Sequence, residues 1–162
     1  HYPLRRQRQM CIRDRPYHYE TGKNYPLLLQ IIGGPDADSS SHTGGFAMRV
    51  NGGVLSPADS ALVQNWDGED TALTHTELGS KVADRTWTFD WIAPNEEVGT
   101  VTIWVVGNAV NGDGAPSELD RWNRLSASVG QGIDNGQTRT VFSGNGEIEP
   151  PAPAEDLSLI HI

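Results

Sequence analysis

Residues 85–114 read R-T-W-T-F-D-W-I-A-P-N-E-E-V-G-T-V-T-I-W-V-V-G-N-A-V-N-G-D-G, and this stretch decides the fold. Trp87, Phe89 and Trp91 recur at every second position, with threonine or aspartate between them. Pro94 ends this run, and a second alternating run rises from Gly99. Alternation with a period of two, carried by aromatic and β-branched residues, indicates half-buried antiparallel sheet rather than helix.

Further short runs of alternating or continuous apolar residues flank this stretch, separated by clusters of glycine, asparagine, aspartate and serine. No long segment shows helical periodicity. The sequence therefore predicts an all-β antiparallel sandwich of about seven to eight strands, whose facing layers are filled by the aromatic run. The flanking runs lie at residues 25–32, 46–50, 73–76, 121–129 and 138–142.

Trp104 has the opposite parity from Val101, Ile103 and Val105 on the second strand. Either both faces of that strand are covered, or Trp104 lies on an exposed surface. An exposed tryptophan can stack on a sugar ring or anchor a protein interface. Trp66, Trp104 and Trp122 are accordingly the candidate ligand-binding residues, with closure of the sandwich ends as the alternative.

The two ends of the chain share an unusual relationship at the nucleotide level. Met10–Asp14 can be encoded by ATG TGT ATA AGA GAC, and with AG added the opposite strand has a frame that encodes the tail L-S-L-I-H-I. Such inverted ends resemble a transposase-type sequencing adapter. We therefore expect residues 1–15 and 157–162 to be translated adapter sequence, and their removal to leave the melting temperature nearly unchanged.

Between these ends the sequence predicts one β-sandwich domain over residues 16–144. Residues 145–156 read N-G-E-I-E-P-P-A-P-A-E-D, a stiff, solvated linker rich in proline and glutamate. On this interpretation the chain is an internal, metagenomic fragment of a longer protein.

Charge and cysteine content exclude several classes of function. The whole chain has 12 basic and 21 acidic residues; removing five arginines and Asp14 with the first 15 residues changes the net charge from −9 to −13. Phosphate contacts need clustered Lys and Arg, so a nucleic-acid or anionic-membrane surface is not expected. The only cysteine, Cys11, is removed with the first 15 residues, so neither a disulfide framework nor a thiolate metal site is available to the remaining chain.

An ordered set of motifs resembles the prokaryotic choice-of-anchor V domain, which is related to the Reeler domain of eukaryotic extracellular proteins. The set covers nearly the whole of residues 16–144. Its members are Y-E-T-G-K-N-Y at 19–25, G-G-F at 44–46, T-H-T at 74–76, W-T-F-D-W-I-A-P at 87–94, the run at 99–114, and L-D-R-W-N at 119–123.

The resemblance implies an immunoglobulin-like sandwich that is exported and held at the cell surface by an anchor in missing C-terminal sequence. Some relatives carry a c-type haem motif upstream of the domain, but this chain has no C-x-x-C-H. The paired cysteines of eukaryotic Reeler domains are absent as well. The family therefore implies a location and a shape more than a chemistry.

Oxygen-bearing side chains in the loop at 108–120 form one candidate calcium site: Asn111, Asp113, Glu118 and Asp120. Their spacing is not that of a known calcium loop, and Asn-Gly and Asp-Gly pairs also serve as turns, which is the interpretation we favour. Asp67, Glu69 and Asp70 offer the same two interpretations. His75 is a candidate metal ligand, but a hydrogen-bonding role is the favoured alternative.

Catalysis finds no support in the sequence. Ser41 and His42 are adjacent but lie in a loop, and the pair Glu96-Glu97 reads as a solvated turn. The leading hypothesis is a non-catalytic extracellular or cell-surface module without a cofactor, whose partner is an unknown extracellular protein or glycan. The alternatives are a calcium- or carbohydrate-binding module and an accessory domain of a haem or redox surface protein.

Overall fold

A computed structural model describes residues 9–33, 37, 39–110 and 121–143, and within these ranges the chain forms eleven strands and two 3-10 turns. The turns are Trp66–Gly68 and Gly79–Lys81. The strands are β1 Gln9–Pro16, β2 His18–Tyr19, β3 Asn24–Ile32, β4 Gly44–Val50, β5 Val54–Pro57, β6 Val63–Asn65, β7 Ala72–His75, β8 Thr86–Ile92, β9 Val101–Ala109, β10 Arg121–Gln131 and β11 Thr138–Phe142.

Two sheets pack face to face, which confirms the predicted all-β sandwich. The first has the strand order β11-β1-β3-β8-β5, and the second has the order β2-β10-β9-β4-β7-β6. All described pairings are antiparallel except the short parallel contact of β2 with β10. The strand count exceeds the expected seven to eight because several strands, such as β2 and β6, are only two or three residues long. In this part of the chain no helix is long and apolar enough to cross a membrane.

The aromatic run of β8 fills the core as the alternation predicts. Trp87, Phe89 and Trp91 are almost completely buried, and the residues between them face outward. The indole N–H of Trp87 donates to the Gly79 carbonyl at 3.0 Å, and that of Trp91 donates to the Gly52 carbonyl at 2.9 Å. Each ring therefore buries a large apolar surface without leaving its polar atom unpaired.

Strand β1 lies between β3 and β11, inside the first sheet. Met10, Cys11 and Ile12 are fully buried, and burial raises the pKa of the Cys11 thiol. The structure thus includes residues 9–15, which the predicted domain of residues 16–144 leaves out, in the first sheet, and the effect of their removal on the melting temperature stays a prediction. Their origin as adapter sequence stays a prediction, because a position in a fold does not say where a sequence came from.

The other predicted boundaries fall beyond the described part of the chain. The last described residue, Ser143, donates its amide to the Met10 carbonyl at 2.7 Å. The linker at 145–156 and the tail at 157–162 both lie outside the described residues.

Candidate functional site

Among the strand tryptophans whose side chains are described, the most exposed lies on the outer face of the six-stranded sheet. On β9, Val101, Ile103 and Val105 point into the core, so the side chains between them point outward. Trp104 is 46% exposed and Val106 is 50% exposed. Of the two alternatives that parity left open, the structure shows the second: the outer face is not covered at Trp104.

The strand register places two arginines beside the exposed Trp104 and Val106. Arg49 on β4 is directly opposite Trp104, and Arg124 on β10 is directly opposite Val106. Both arginines are exposed. Trp104, Val106, Arg49 and Arg124 are hereafter the Trp104 face.

Acidic residues are missing from the described strands of this sheet. None of β2, β4, β6, β7, β9 and β10 contains an Asp or Glu, although the whole chain has 21. Among the described residues, Glu69 in the turn before β7 brings a carboxylate to this face, and its Oε2 lies 3.4 Å from a terminal nitrogen of Arg49. Both side chains of that pair are more than half exposed, so the ion pair is weak and open to competition.

Of the other two candidate tryptophans, the side chain is described for Trp66 but not for Trp122. Trp66 is 44% exposed and begins the 3-10 turn that follows β6. Trp122 pairs through its backbone with Asn108, and its side chain is outside the description. The structure therefore places an exposed indole at two of the three predicted positions.

His75 occupies a hydrogen-bonding position against β4. Its Nδ1 accepts the Phe46 amide N–H at 3.0 Å, and its ring centroid lies 6.2 Å from that of Phe46. A Cβ atom built on Gly45 would come within 2.4 Å of the imidazole, so the ring needs a glycine beneath it. Among the residues that the structure describes, no group of three His, Cys, Asp or Glu side chains could hold a metal ion.

The predicted calcium ligands Asn111, Asp113, Glu118 and Asp120 lie outside the described residues. The second acidic cluster is described. Asp67 adopts φ 54° inside the 3-10 turn, and Glu69 closes that turn through its amide to the Trp66 carbonyl. The positive φ of Asp67 and the hydrogen bond of the Glu69 amide are features of a turn.

A serine–histidine contact that the sequence did not predict joins the loop before β4 to the second 3-10 turn. His42 Nδ1 is hydrogen-bonded to Ser80 Oγ, and that hydroxyl also lies 2.7 Å from the Glu77 carbonyl, to which it donates. A hydroxyl has one proton, so a hydroxyl that donates to the carbonyl accepts from the imidazole and is not activated as a nucleophile. The predicted neighbour Ser41 is not the partner in this contact.

A second unpredicted cluster ties the start of β3 to the loop after β10. Asp134 Oδ2 accepts from Lys23 Nζ at 2.7 Å and from the Tyr25 hydroxyl at 2.9 Å. Burial acts to raise the pKa of Asp134, but the hydrogen bonds from Lys23, the Gly136 amide and Tyr25 outweigh it, so that pKa is lowered. Burial, aided by the neighbouring carboxylate, raises the pKa of Tyr25 to about 12. The cluster therefore tethers the two segments to each other.

Comparison with known proteins gives a likeness of structure. No protein-family model and no curated protein sequence matches the chain. The human F-spondin reeler domain superposes with a TM-score of 0.53 at 16% identity, over 76% of this chain and 87% of that one. A cohesin module from a Clostridium perfringens family 33 glycoside hydrolase has a TM-score of 0.50 at 14% identity, over 75% and 94% of the two chains. The chain therefore has the fold of Reeler domains.

Proposed function

We propose that this chain is a non-catalytic module of an exported microbial surface protein, working in adhesion, ligand display or envelope architecture. The observation that carries the proposal is the Trp104 face, on which an exposed indole and an exposed valine lie between two exposed arginines. Large aromatic side chains left in solvent on a rigid scaffold are typical of binding surfaces. The sandwich shared with reeler domains and a cohesin module, and the ordered motifs that resemble the choice-of-anchor V family, support the same proposal.

Two polar clusters among the described residues support a non-catalytic role. The Ser80 hydroxyl donates to a backbone carbonyl, and the Asp134 carboxylate is engaged by Lys23 and Tyr25. Both arrangements satisfy buried polar atoms, as structural hydrogen bonds do.

Location and catalysis are tested separately. The complete reading frame, expressed with its own flanking sequence in a bacterial host, should yield a module that external protease digests on intact cells. A module that is protected until the cells are lysed contradicts the surface location. The purified chain should also fail to turn over ester, glycoside and peptide substrates, and turnover that Ser80→Ala abolishes contradicts the non-catalytic role.

A carbohydrate-binding role is the second candidate, and the exposed indole of Trp104 favours it, because sugar rings stack on such faces. A glycan array probed with the chain and with Trp104→Ala tests it: binding that the substitution removes supports this candidate. Calcium binding by the 108–120 loop stays a prediction, which calorimetric titration with calcium tests. Heat absent from that titration removes the calcium module.

A further inference from the structure

We infer that the Trp104 face binds an extended acidic segment of a partner protein, with carboxylates on Arg49 and Arg124 and an apolar side chain on Trp104 and Val106. This inference rests on the proposed function, since it names the partner chemistry of the binding surface proposed above. The carrying observation is one of charge: two exposed arginines flank the apolar pair on a sheet whose described strands lack acidic residues.

The positions of the arginines set the spacing of the ligand. Arg49 and Arg124 lie on the two strands that flank β9. The residues opposite them, Trp104 and Val106, are two positions apart along β9. With strands about 4.8 Å apart and a rise of about 3.3 Å per residue, the Cα atoms of the two arginines are separated diagonally by about 12 Å. Four residues of an extended chain span about 13 Å. The matching ligand is therefore Glu-x-Leu-x-Glu, in which the period of two puts all three side chains on one side.

Glu69 already shows that the face accepts a carboxylate. It lies 3.4 Å from Arg49, and both partners are more than half exposed. An incoming carboxylate would replace Glu69 at Arg49, so the present ion pair opposes binding. Removing the Glu69 charge should strengthen the interaction with an acidic ligand, whereas a purely apolar contact would not respond to this change.

The charge arrangement favours an acidic partner over a second copy of this chain. A symmetric dimer through this face would pack the two arginines of one copy onto a surface that itself carries two exposed arginines. Like charges placed together in an interface are unfavourable. Carbohydrate, in contrast, would use the indole but would gain little from two arginines.

The test is an NMR titration of the ¹⁵N-labelled chain with the blocked peptide Ser-Glu-Ser-Leu-Ser-Glu-Ser. Each of the five tryptophans contributes one indole N–H signal, and Trp104→Phe identifies the relevant one. The Trp104 signal should shift on addition of peptide, while those of the buried Trp87 and Trp91 should not. The same peptide with glutamine for glutamate should produce little change, and 1 M salt should suppress binding of the acidic peptide.

Variants separate the contributions. Trp104→Ala should weaken peptide binding roughly tenfold, followed for this variant through backbone amide shifts. Arg49→Glu and Arg124→Glu should each weaken it roughly three- to fivefold, and Glu69→Gln should strengthen it about twofold. Lys81→Glu and Ile133→Ala are the matched controls. Lys81 is in the second 3-10 turn. The Ser80 carbonyl of that turn accepts the Thr43 amide, so Lys81 lies near the opposite end of β4 from Arg49. Ile133 is an exposed apolar residue beyond β10.

Three results would overturn the inference. The glutamine peptide could bind as well as the acidic peptide, or the Trp104 signal could stay unchanged at millimolar acidic peptide. The third is that sedimentation shows a dimer and that Trp104→Ala converts it to monomer. These results leave the surface location and the absence of turnover untouched, so failure of the inference is distinguishable from failure of the proposed function.

Discussion

Tryptophan occupies two opposite environments in this chain, and position along a strand or turn decides between them. Trp87 and Trp91 share the inward parity of β8 and are at most 1% exposed. Trp104 has the outward parity of β9, and Trp66 begins a turn, so each keeps more than two fifths of its surface in solvent. The same side chain can therefore stabilise the fold in one place and present a ligand surface in another.

Trp87→Phe tests the buried environment. The substitution retains an aromatic ring but removes the donor to the Gly79 carbonyl, leaving that acceptor unpaired in the core. We expect the free energy of unfolding to fall by roughly 1–3 kcal/mol, measured by urea denaturation. Trp66→Phe is the matched control and should change stability by less than about 0.5 kcal/mol. Equal effects of the two substitutions would contradict the described packing of Trp87.

Gly53→Ala tests a close backbone approach in the turn between β4 and β5. Gly53 has φ +75°, and a Cβ atom there would lie 2.2 Å from the Ile92 carbonyl oxygen. Gly68 has φ +71° and no atom within 4 Å of such a Cβ, so Gly68→Ala measures the left-handed strain alone, roughly 1 kcal/mol. We expect Gly53→Ala to cost at least about 1 kcal/mol more than this control in urea denaturation. Similar costs would mean that the turn relaxes freely.

At the scale of elements, the Asp134 cluster fixes the loop between β10 and β11 against the start of β3. The carboxylate side chain is only 4% exposed and accepts hydrogen bonds from two groups at the start of β3 and from the Gly136 amide. Neither contact follows from strand periodicity, since more than 100 residues separate the partners. The tether exists because the sandwich brings the two loops to the same end.

The tether should make stability depend on pH in a defined direction. The folded pKa of Asp134 is below its unfolded value, so its contribution is present above the unfolded pKa and is lost as pH falls through the folded pKa. We expect Asp134→Asn to lower stability at pH 7 and to reduce the loss of stability on acidification. Urea midpoints of both proteins between pH 7 and pH 2 measure this. Parallel pH profiles for the two proteins would show that Asp134 does not contribute.

Tyr25 supplies the alkaline counterpart of this effect. Its folded pKa is raised from 10.0 to about 12, so its contribution is present below pH 10 and is lost as pH rises from 10 towards 12. Tyr25→Phe should flatten this part of the stability profile. The difference between the tyrosinate absorbance titrations of the wild-type chain and of Tyr25→Phe isolates Tyr25 among the four tyrosines, and a midpoint near pH 10 in that difference would contradict the described environment.

At the scale of the whole molecule, β1 joins the first sheet on both sides. It forms hydrogen-bonded pairs with β3 and with β11, and its Met10 and Ile12 side chains belong to the common core. A sheet that loses an inner strand exposes two new edges as well as apolar surface.

Removing residues 1–15 should therefore lower the melting temperature by more than about 10 °C or prevent cooperative unfolding. Arg13→Ala in the intact chain is the control. Arg13 is exposed and bonds to Gln30 at 2.8 Å, so its loss should be tolerated. An unchanged melting temperature after the deletion would support the sequence-based interpretation of this segment instead.

The alternation of single residues allowed much of the core to be predicted. Trp87, Phe89 and Trp91 were assigned inward, and Trp104 was recognised as out of phase, because a strand turns successive side chains to opposite faces. The place of β1 could not be predicted in this way, because the sequence M-C-I-R-D-R does not indicate which strands it pairs with. The contact between His42 and Ser80 could not be predicted either, nor could that between Asp134 and Tyr25. Contacts made by loops leave no periodic pattern in the sequence.

The amino-acid order by itself determined that the chain forms strands, which of their faces are apolar, and that its net charge is strongly negative. Strand formation and the apolar faces depend on neighbours a few residues apart, through backbone sterics and the transfer of apolar groups from water, whereas the net charge follows from composition alone. Which strands are adjacent, and hence that Arg49 and Arg124 flank Trp104 and Val106, depends on the folded sandwich. Strand order depends on the packing of the whole sandwich, so residues distant in the chain become neighbours only after it has folded.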